Sequence, residues 1–259
     1  MSDHRSNEAR VELLLTTLRL PTVKSLYKKV AKEVAASGGD FIAYLAALLE
    51  EESRDRRTRR VQRRIKEARF RQTKLLSELV AADLPDGISM DLLNELAAGH
   101  YIESRTNIIA IGNSGTGKTH VCTGLAVEAC RQERRVRAYT ATELVSELEA
   151  AQEEHQLHRY LNRFAKWDLV VVDELGYLPI SEHGADLIFQ AFSERHERGS
   201  VIVNTNLPFS EWAEVFQTER LAVAMLDRIT HNAHILEMNG ESYRLKSAKK
   251  RKKPKRGDQ

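Results

Sequence analysis

Gly112-Asn113-Ser114-Gly115-Thr116-Gly117-Lys118-Thr119 is the stretch from which the rest of this chain can be read. It is a complete G-x-x-x-x-G-K-[ST] run. It stands between the apolar stretch Asn107-Ile108-Ile109-Ala110-Ile111 and a segment of helical composition, the context this motif requires. Its glycines let backbone N–H groups curl around phosphate oxygens with no Cβ in the way. The helix that opens at its end adds a positive dipole end. Lys118 is expected to reach the β- and γ-phosphates of ATP, and the Thr119 hydroxyl to ligate Mg²⁺. His120 completes the nucleotide-binding stretch 112–120 and reads as a residue of the first helical turn, and Tyr101, just before the first strand, is a candidate to line the adenine pocket.

Four further apolar runs, mostly β-branched, lie downstream: Val136–Tyr139, Leu169–Val172, Val201–Val203 and His234–Met238. Helical stretches separate them, around 118–131, 142–164 and 184–197. Continuous apolar strands alternating with helices indicate a parallel sheet covered on both faces. The run Leu169-Val170-Val171-Val172 ends in Asp173-Glu174, at the sheet edge where α/β proteins bind ligands. Asp173 is expected to hold Mg²⁺ through water. Glu174 is expected to orient and deprotonate the attacking water. The next run ends in Asn204-Thr205-Asn206. Asn206 either contacts the γ-phosphate or the lytic water, or forms an Asx turn before Leu207-Pro208.

The first 74 residues have a different pattern. Residues 8–20 and 22–36 read as short amphipathic helices on either side of Pro21, and Asp40 is positioned to cap a longer one. That third helix begins apolar, with Ile42, Leu45 and Leu49, and turns basic beyond Glu52. From Arg54 to Lys74 there are eleven Lys/Arg against Asp55 and Glu67, and from Lys246 to Gln259 eight against Asp258. The remainder carries 21 basic against 34 acidic residues, so a basic helix and a basic tail flank an acidic body. This layout points to a polyanionic partner, nucleic acid first, unless helix and tail are only solvated surface. No apolar run approaches the length of a membrane span, and the N-terminus has no apolar signal region. Cys122 and Cys130 cannot form a disulfide framework and read as buried thiols of a cytoplasmic protein.

Several of these segments carry a resemblance. Gly112–Thr119, Asp173-Glu174-Leu175-Gly176-Tyr177 and Thr205-Asn206-Leu207-Pro208-Phe209-Ser210-Glu211-Trp212 are similar to the IstB-type AAA+ ATPases. These are helpers of a bacterial insertion-sequence transposase and relatives of the DnaC helicase loader. Arg64–Phe70, Ala222–Arg228 with Ile229-Thr230-His231, and Ser242-Tyr243-Arg244 resemble the same family. The resemblance implies a three-layer α/β P-loop (AAA+) core with a parallel sheet over 75–245. A small all-α N-terminal domain over 1–74 would precede it, whereas the basic tail over 246–259 departs from the family pattern. It also implies ATP sites between subunits of a homo-oligomer, assembly on double-stranded DNA, and stimulation of a cognate transposase. Asn206 then matches the sensor-1 residue. Arg228 matches an arginine finger acting on the neighbouring subunit, with Arg220 and an intrachain salt bridge of Arg228 as alternatives. A helicase loader gripping a replicative helicase shares the same core; the basic block at 54–74 favours direct duplex contact. A small-molecule kinase would need a lid and an acceptor pocket, for which the sequence offers no candidate.

Overall fold

All five expected strands form in the computed structural model, which describes residues 2–177, 179–240 and 242–243, the first four by backbone alone. The basic tail 246–259 and Arg244 lie outside the described residues. The strands are β1 (Asn107–Ile111), β2 (Val136–Thr140), β3 (Leu169–Leu175), β4 (Ser200–Thr205) and β5 (Ala233–Glu237). They pair in parallel in the order β2-β3-β4-β1-β5.

Successive strand side chains point to opposite faces, so a strand buried on both faces must be apolar throughout. Ile109, Val170, Val172, Val201 and Val203 enter one core, with α7 (Ala141–Glu153) and α9 (Glu182–Arg195). Ile108, Ala110, Leu169, Val171 and Ile202 enter the other, with α6 (Lys118–Arg131). Each fully buried Val, Leu or Ile contributes about 1.5–3 kcal/mol. Together they readily outweigh the roughly 1–3 kcal/mol of one strained backbone position at the sheet edge.

Helix starts follow from side-chain caps. Thr140 and Glu143 form a capping box on α7, and Ser181 accepts from Gly184 N at the start of α9. Ser89 and Thr218 likewise cap α4 (Met90–Ala97) and α11 (Glu219–Thr230), while α5 (His100–Glu103) and α10 (Trp212–Val215) are single turns. The expected single helix over 142–164 is two helices, α7 and α8 (Leu157–Phe164), joined through His155 at a left-handed φ of 56°. The turn brings Tyr160, Leu161 and Phe164 back to the core that holds Leu144 and Leu148. A straight helix would carry them away from it.

The chain divides into two compact units between Arg63 and Arg64. The first holds α1 (Ser2–Thr17), α2 (Pro21–Ala36) and most of α3 (Phe41–Ala68). Pro21 is the first residue of α2, and Asp40 accepts from Ala43 N at 2.8 Å as a cap of α3. Val23, Val30 and Leu48 form its small core. Buried Glu52 accepts from the N–H groups of Thr22 and Val23 at 2.9 and 3.2 Å, meeting the positive end of α2. In the second unit, Leu76 packs closely on Gly124 of α6, which ties the segment before the sheet to the loop helix. Among the described residues, no helix is long and apolar enough to cross a membrane.

Candidate functional site

The P-loop connects β1 to α6. Gly112, Gly115 and Gly117 have φ of 146°, 86° and 98°, a region that strains any residue with a Cβ. At Gly112 a Cβ would also run into the Met238 carbonyl. Lys118 is buried, and its Nζ donates to the carbonyls of Gly112 and Asn113, both at 2.7 Å. Thr116 Oγ1 donates to the same Asn113 carbonyl at 2.9 Å. The loop is therefore braced by the residues that would meet phosphate. Ser114 and His120 line the cavity beside it, and His120 Nε2 lies 2.8 Å from the Leu75 carbonyl.

Thr119, Asp173 and Asn204 meet at the edge of this loop. Thr119 Oγ1 lies 3.4 Å from Asp173 Oδ1 and accepts from Asn204 Nδ2 at 2.9 Å. The Asn204 amide also donates to Asp173 Oδ1. The buried Asn204 Oδ1 has no protein partner among the described residues, which leaves an acceptor beside the hydroxyl and the carboxylate. One hydroxyl and one carboxylate are hard oxygen donors of the kind Mg²⁺ takes alongside nucleotide phosphates. Among the described residues no cluster of three His, Cys, Asp or Glu side chains could hold a metal by itself. This donor set therefore fits a metal that arrives with its nucleotide.

Glu174 follows at an irregularity in the ladder. Val172 pairs with Val203, and the next pair is Leu175 with Thr205, so β3 spends one residue more than β4. Bulges of this kind re-aim side chains beside active sites. Glu174 takes a left-handed φ of 60°, and its N–H donates to Asp173 Oδ1 at 3.0 Å. Its carboxylate is met by Arg71, with Nη1 3.3 Å from Oε2. Arg71 Nη2 also lies 3.3 Å from Glu143 Oε1. Burial works against the charge of Glu143, but hydrogen bonds from Thr140 and the Arg71 guanidinium hold its carboxyl below the ordinary range.

A cavity of about 440 Å³ opens beside the P-loop, Glu174 and Asn204. The loop, Glu174, Asn204 and Asn206 form its polar side, and Leu79, Val80, Leu84, Met238 and Tyr243 its apolar side. Tyr243 N donates to the Gly115 carbonyl at 2.9 Å. The arrangement suits a ligand with an anionic end and a flat apolar end. Tyr101, read from the sequence as a candidate for the base pocket, is instead buried in the core beside α6. Its apolar neighbours Ile102, Ile108 and Cys130 explain this, and burial pushes its phenol pKa up.

Asn206 lies just beyond β4, exposed, on the wall of the same cavity. Arg228 lies at the opposite edge of the sheet. It lines a separate cavity with Asn107 and Val201, at the starts of β1 and β4, and its guanidinium stacks 4.5 Å over the Phe189 ring. About 13 Å of strand separates that edge from the loop. Among the described residues no carboxylate pairs with Arg228, so the salt-bridge alternative is not formed. Arg220 is exposed in the first turn of α11.

Asn204 and Arg71 were not singled out from the sequence. Asn204 had a signal: counting by two from Ile202 reaches it on the face that α6 covers, as counting from Val171 reaches Asp173. Arg71 had none, since it lies inside a basic run and meets Glu174 only through the fold.

A family described as IstB-like ATP binding protein matches residues 13–251. An insertion-sequence ATP-binding protein of Sinorhizobium fredii is 34% identical over 95% of this chain and 83% of its own length. An IS21 ATP-binding protein of Pseudomonas aeruginosa is 32% identical over 93% of this chain and 90% of its own. Among solved structures, the DnaC helicase loader aligns with a TM-score of 0.52 at 16% identity, over 64% of this chain and 96% of that one. AMPPCP-bound DnaA from Aquifex aeolicus aligns with a TM-score of 0.53 at 21% identity, over 70% of this chain and 55% of that one, so the chain spans about half of it. At these identities the two structures speak for the fold, a P-loop AAA+ core.

Proposed function

Because the chain belongs to the IstB-like ATP-binding protein family and is an ATPase of AAA+ fold, we propose that it uses ATP to assemble on target duplex DNA and stimulate a partner transposase. The observation that carries the hydrolytic reading is the meeting of Thr119, Asp173 and Asn204 beside the loop, with Glu174 next in chain. Lys118 leaves the loop carbonyls for the β- and γ-phosphates. Thr119 and Asp173 hold Mg²⁺, which when bound neutralises charge on the phosphate oxygens. Glu174 orients the attacking water and takes its proton. Asn206 reports the γ-phosphate.

Arg228 is too far from its own loop to act there, which supports a role at the site of a neighbouring subunit in a homo-oligomer. A finger supplied in trans makes hydrolysis depend on assembly. DNA contact is assigned to the basic part of the helical region 1–74, and hydrolysis to 75–245, with the tail 246–259 as an auxiliary contact. A protein-docking role for the first unit is favoured by one observation: Phe41 and Ile42 of α3 are 92% and 77% exposed, with Leu45 and Leu49 on the same helix also exposed.

The DNA reading is tested by salt dependence. Affinity for duplex should fall by about 0.9 log units per log unit of salt for each phosphate neutralised. Arg56 is bonded to buried Glu52, and Arg64 to Glu133 and Glu67, so both have structural partners. The substitution set leaves those two in place and replaces exposed Arg57 and Lys66 of the same basic block by Ala. It should flatten the slope and weaken all sequences alike, because phosphate contacts carry no base information. An unchanged slope moves the DNA surface onto the ATPase core and leaves the helices for a protein partner.

A further inference from the structure

We infer that Tyr243 is the face on which the base of ATP stacks, so that the segment beyond β5 holds the nucleoside end of the nucleotide while the P-loop holds its phosphates. This rests on reading the P-loop as the nucleotide site.

The segment after β5 runs back along the loop. Met238 N donates to the Ile111 carbonyl at 2.7 Å, and the Met238 carbonyl lies where a Cβ at Gly112 would stand. Farther on, a Cβ at Gly115 would run into Ser242 Oγ, and Tyr243 N donates to the Gly115 carbonyl at 2.9 Å. The loop motif fixes glycine at 112 and 117 but leaves position 115 open. Here glycine supplies the φ of 86° and also admits the returning chain. The bond to Gly115 is made by backbone, so it places Tyr243 on the cavity wall without using the ring.

The ring is then available to a ligand. Val80 and Tyr243 both line the cavity and are 57% and 50% exposed. Apolar surface left in water contributes nothing to folding, whereas a flat apolar ligand lying against these two side chains would cover them. Leu84 and Met238 extend the same apolar surface. Asp83, from the same segment as Val80, also lines the cavity. Its negative charge turns phosphates away and accepts N–H or O–H donors of a base or ribose. The phosphate end therefore belongs at Lys118 and the nucleoside end beside Asp83. Tyr177 lines the cavity too, but it follows Glu174 by three residues and so belongs to the hydrolytic end. An aromatic ring at the nucleoside end suits a base, since every base offers a π-face for stacking.

Equilibrium binding of a ribose-labelled fluorescent ATP analogue to the full chain, with displacement by tripolyphosphate, tests the inference. Tyr243→Ala should weaken the analogue by about 5- to 150-fold, the range for loss of one base–aromatic stack. The dissociation constant of tripolyphosphate, which has no base, should not change. Tyr243→Phe keeps the ring and should bind the analogue as wild type does. Tyr243→Leu keeps apolar bulk without a flat face and should show most of the loss; it carries the test if the alanine variant does not fold. Wild-type affinity in the Ala and Leu variants, with Lys118→Ala unable to bind, overturns the stack and leaves the nucleotide site intact. An equal loss for tripolyphosphate also overturns it, because Tyr243 would then act only by bracing the loop. So does a Phe variant as weak as the Ala variant. Wild-type binding by Lys118→Ala removes the nucleotide-site reading, and the stack with it.

Discussion

Asn204 Nδ2 stands 2.9 Å from Thr119 Oγ1, which joins the end of β4 to the first turn of α6 across 85 positions of sequence. The same amide donates to Asp173, so a single side chain orients the hydroxyl and the carboxylate proposed to hold the metal. Asn204→Ala should cost about 1.5–3 kcal/mol, the range for a hydrogen bond to a charged group, and should lower ATP turnover. Asn204→Asp sets a second carboxylate against Asp173 and should be worse. Exposed Asn206→Ala should leave stability within about 0.5 kcal/mol and lower turnover alone. Urea unfolding with parallel turnover assays separates the two residues. Wild-type values for Asn204→Ala would mean that the bridge organises nothing.

Arg228→Ala should leave ATP binding by the isolated subunit near wild type and remove assembly-dependent hydrolysis, since fingers in trans are worth roughly 10³–10⁵-fold. Lys118→Ala should lose ATP binding, measured with a fluorescent analogue. Mixing the two variants joins one working phosphate site to one working finger, so activity should return at mixed interfaces. No recovery at any ratio, with co-assembly demonstrated, would put Arg228 to work within its own chain.

Gly124→Ala should destabilise the second unit. The added Cβ would lie 2.6 Å from Leu76 Cδ2, 2.9 Å from Cγ and 3.2 Å from the Leu76 backbone nitrogen. Overpacking of this kind costs typically about 1–3 kcal/mol. A thermal melt compared with Gly124→Ala/Leu76→Ala, where the space is reopened, checks the cause. Failure of the second substitution to reduce the loss would point to the backbone of α6.

Burial pushes the Cys130 thiol up from 9.0 to about 12. The folded chain therefore keeps this proton where the unfolded chain releases it. Stability from this group is complete below pH 9.0 and is lost as pH rises toward about 12. Urea midpoints measured across that window should fall more steeply for wild type than for Cys130→Ala. A thiol reagent at neutral pH should modify Cys122 and Cys130 only on unfolding, since both are buried. Fast modification of the folded chain would show that the interior beside α6 opens.

The class of the core was legible because its signals are local. A loop of three glycines ending in Lys118-Thr119 must follow a strand and open a helix, and five apolar runs separated by helices must form a two-sided parallel sheet. The break at His155 was not legible, because 142–164 keeps helical composition throughout and only the position of the shared core demands the turn. Tyr101 misled for a related reason: its place before β1 suggested the base pocket, but burial follows from what packs around it.

By itself, the sequence determined the phosphate loop, the pair Asp173-Glu174 at a strand end and the basic block at 54–74, since motif, hydropathy and charge reside in neighbouring residues. Only the tertiary structure decided that Asn204 bridges Thr119 to Asp173, that Arg71 meets Glu174, and that Arg228 lies at the edge opposite its own loop. These relations join residues brought together by strand order and helix packing. Strand order is set by long-range burial summed over both faces of the sheet, and no local pattern encodes it.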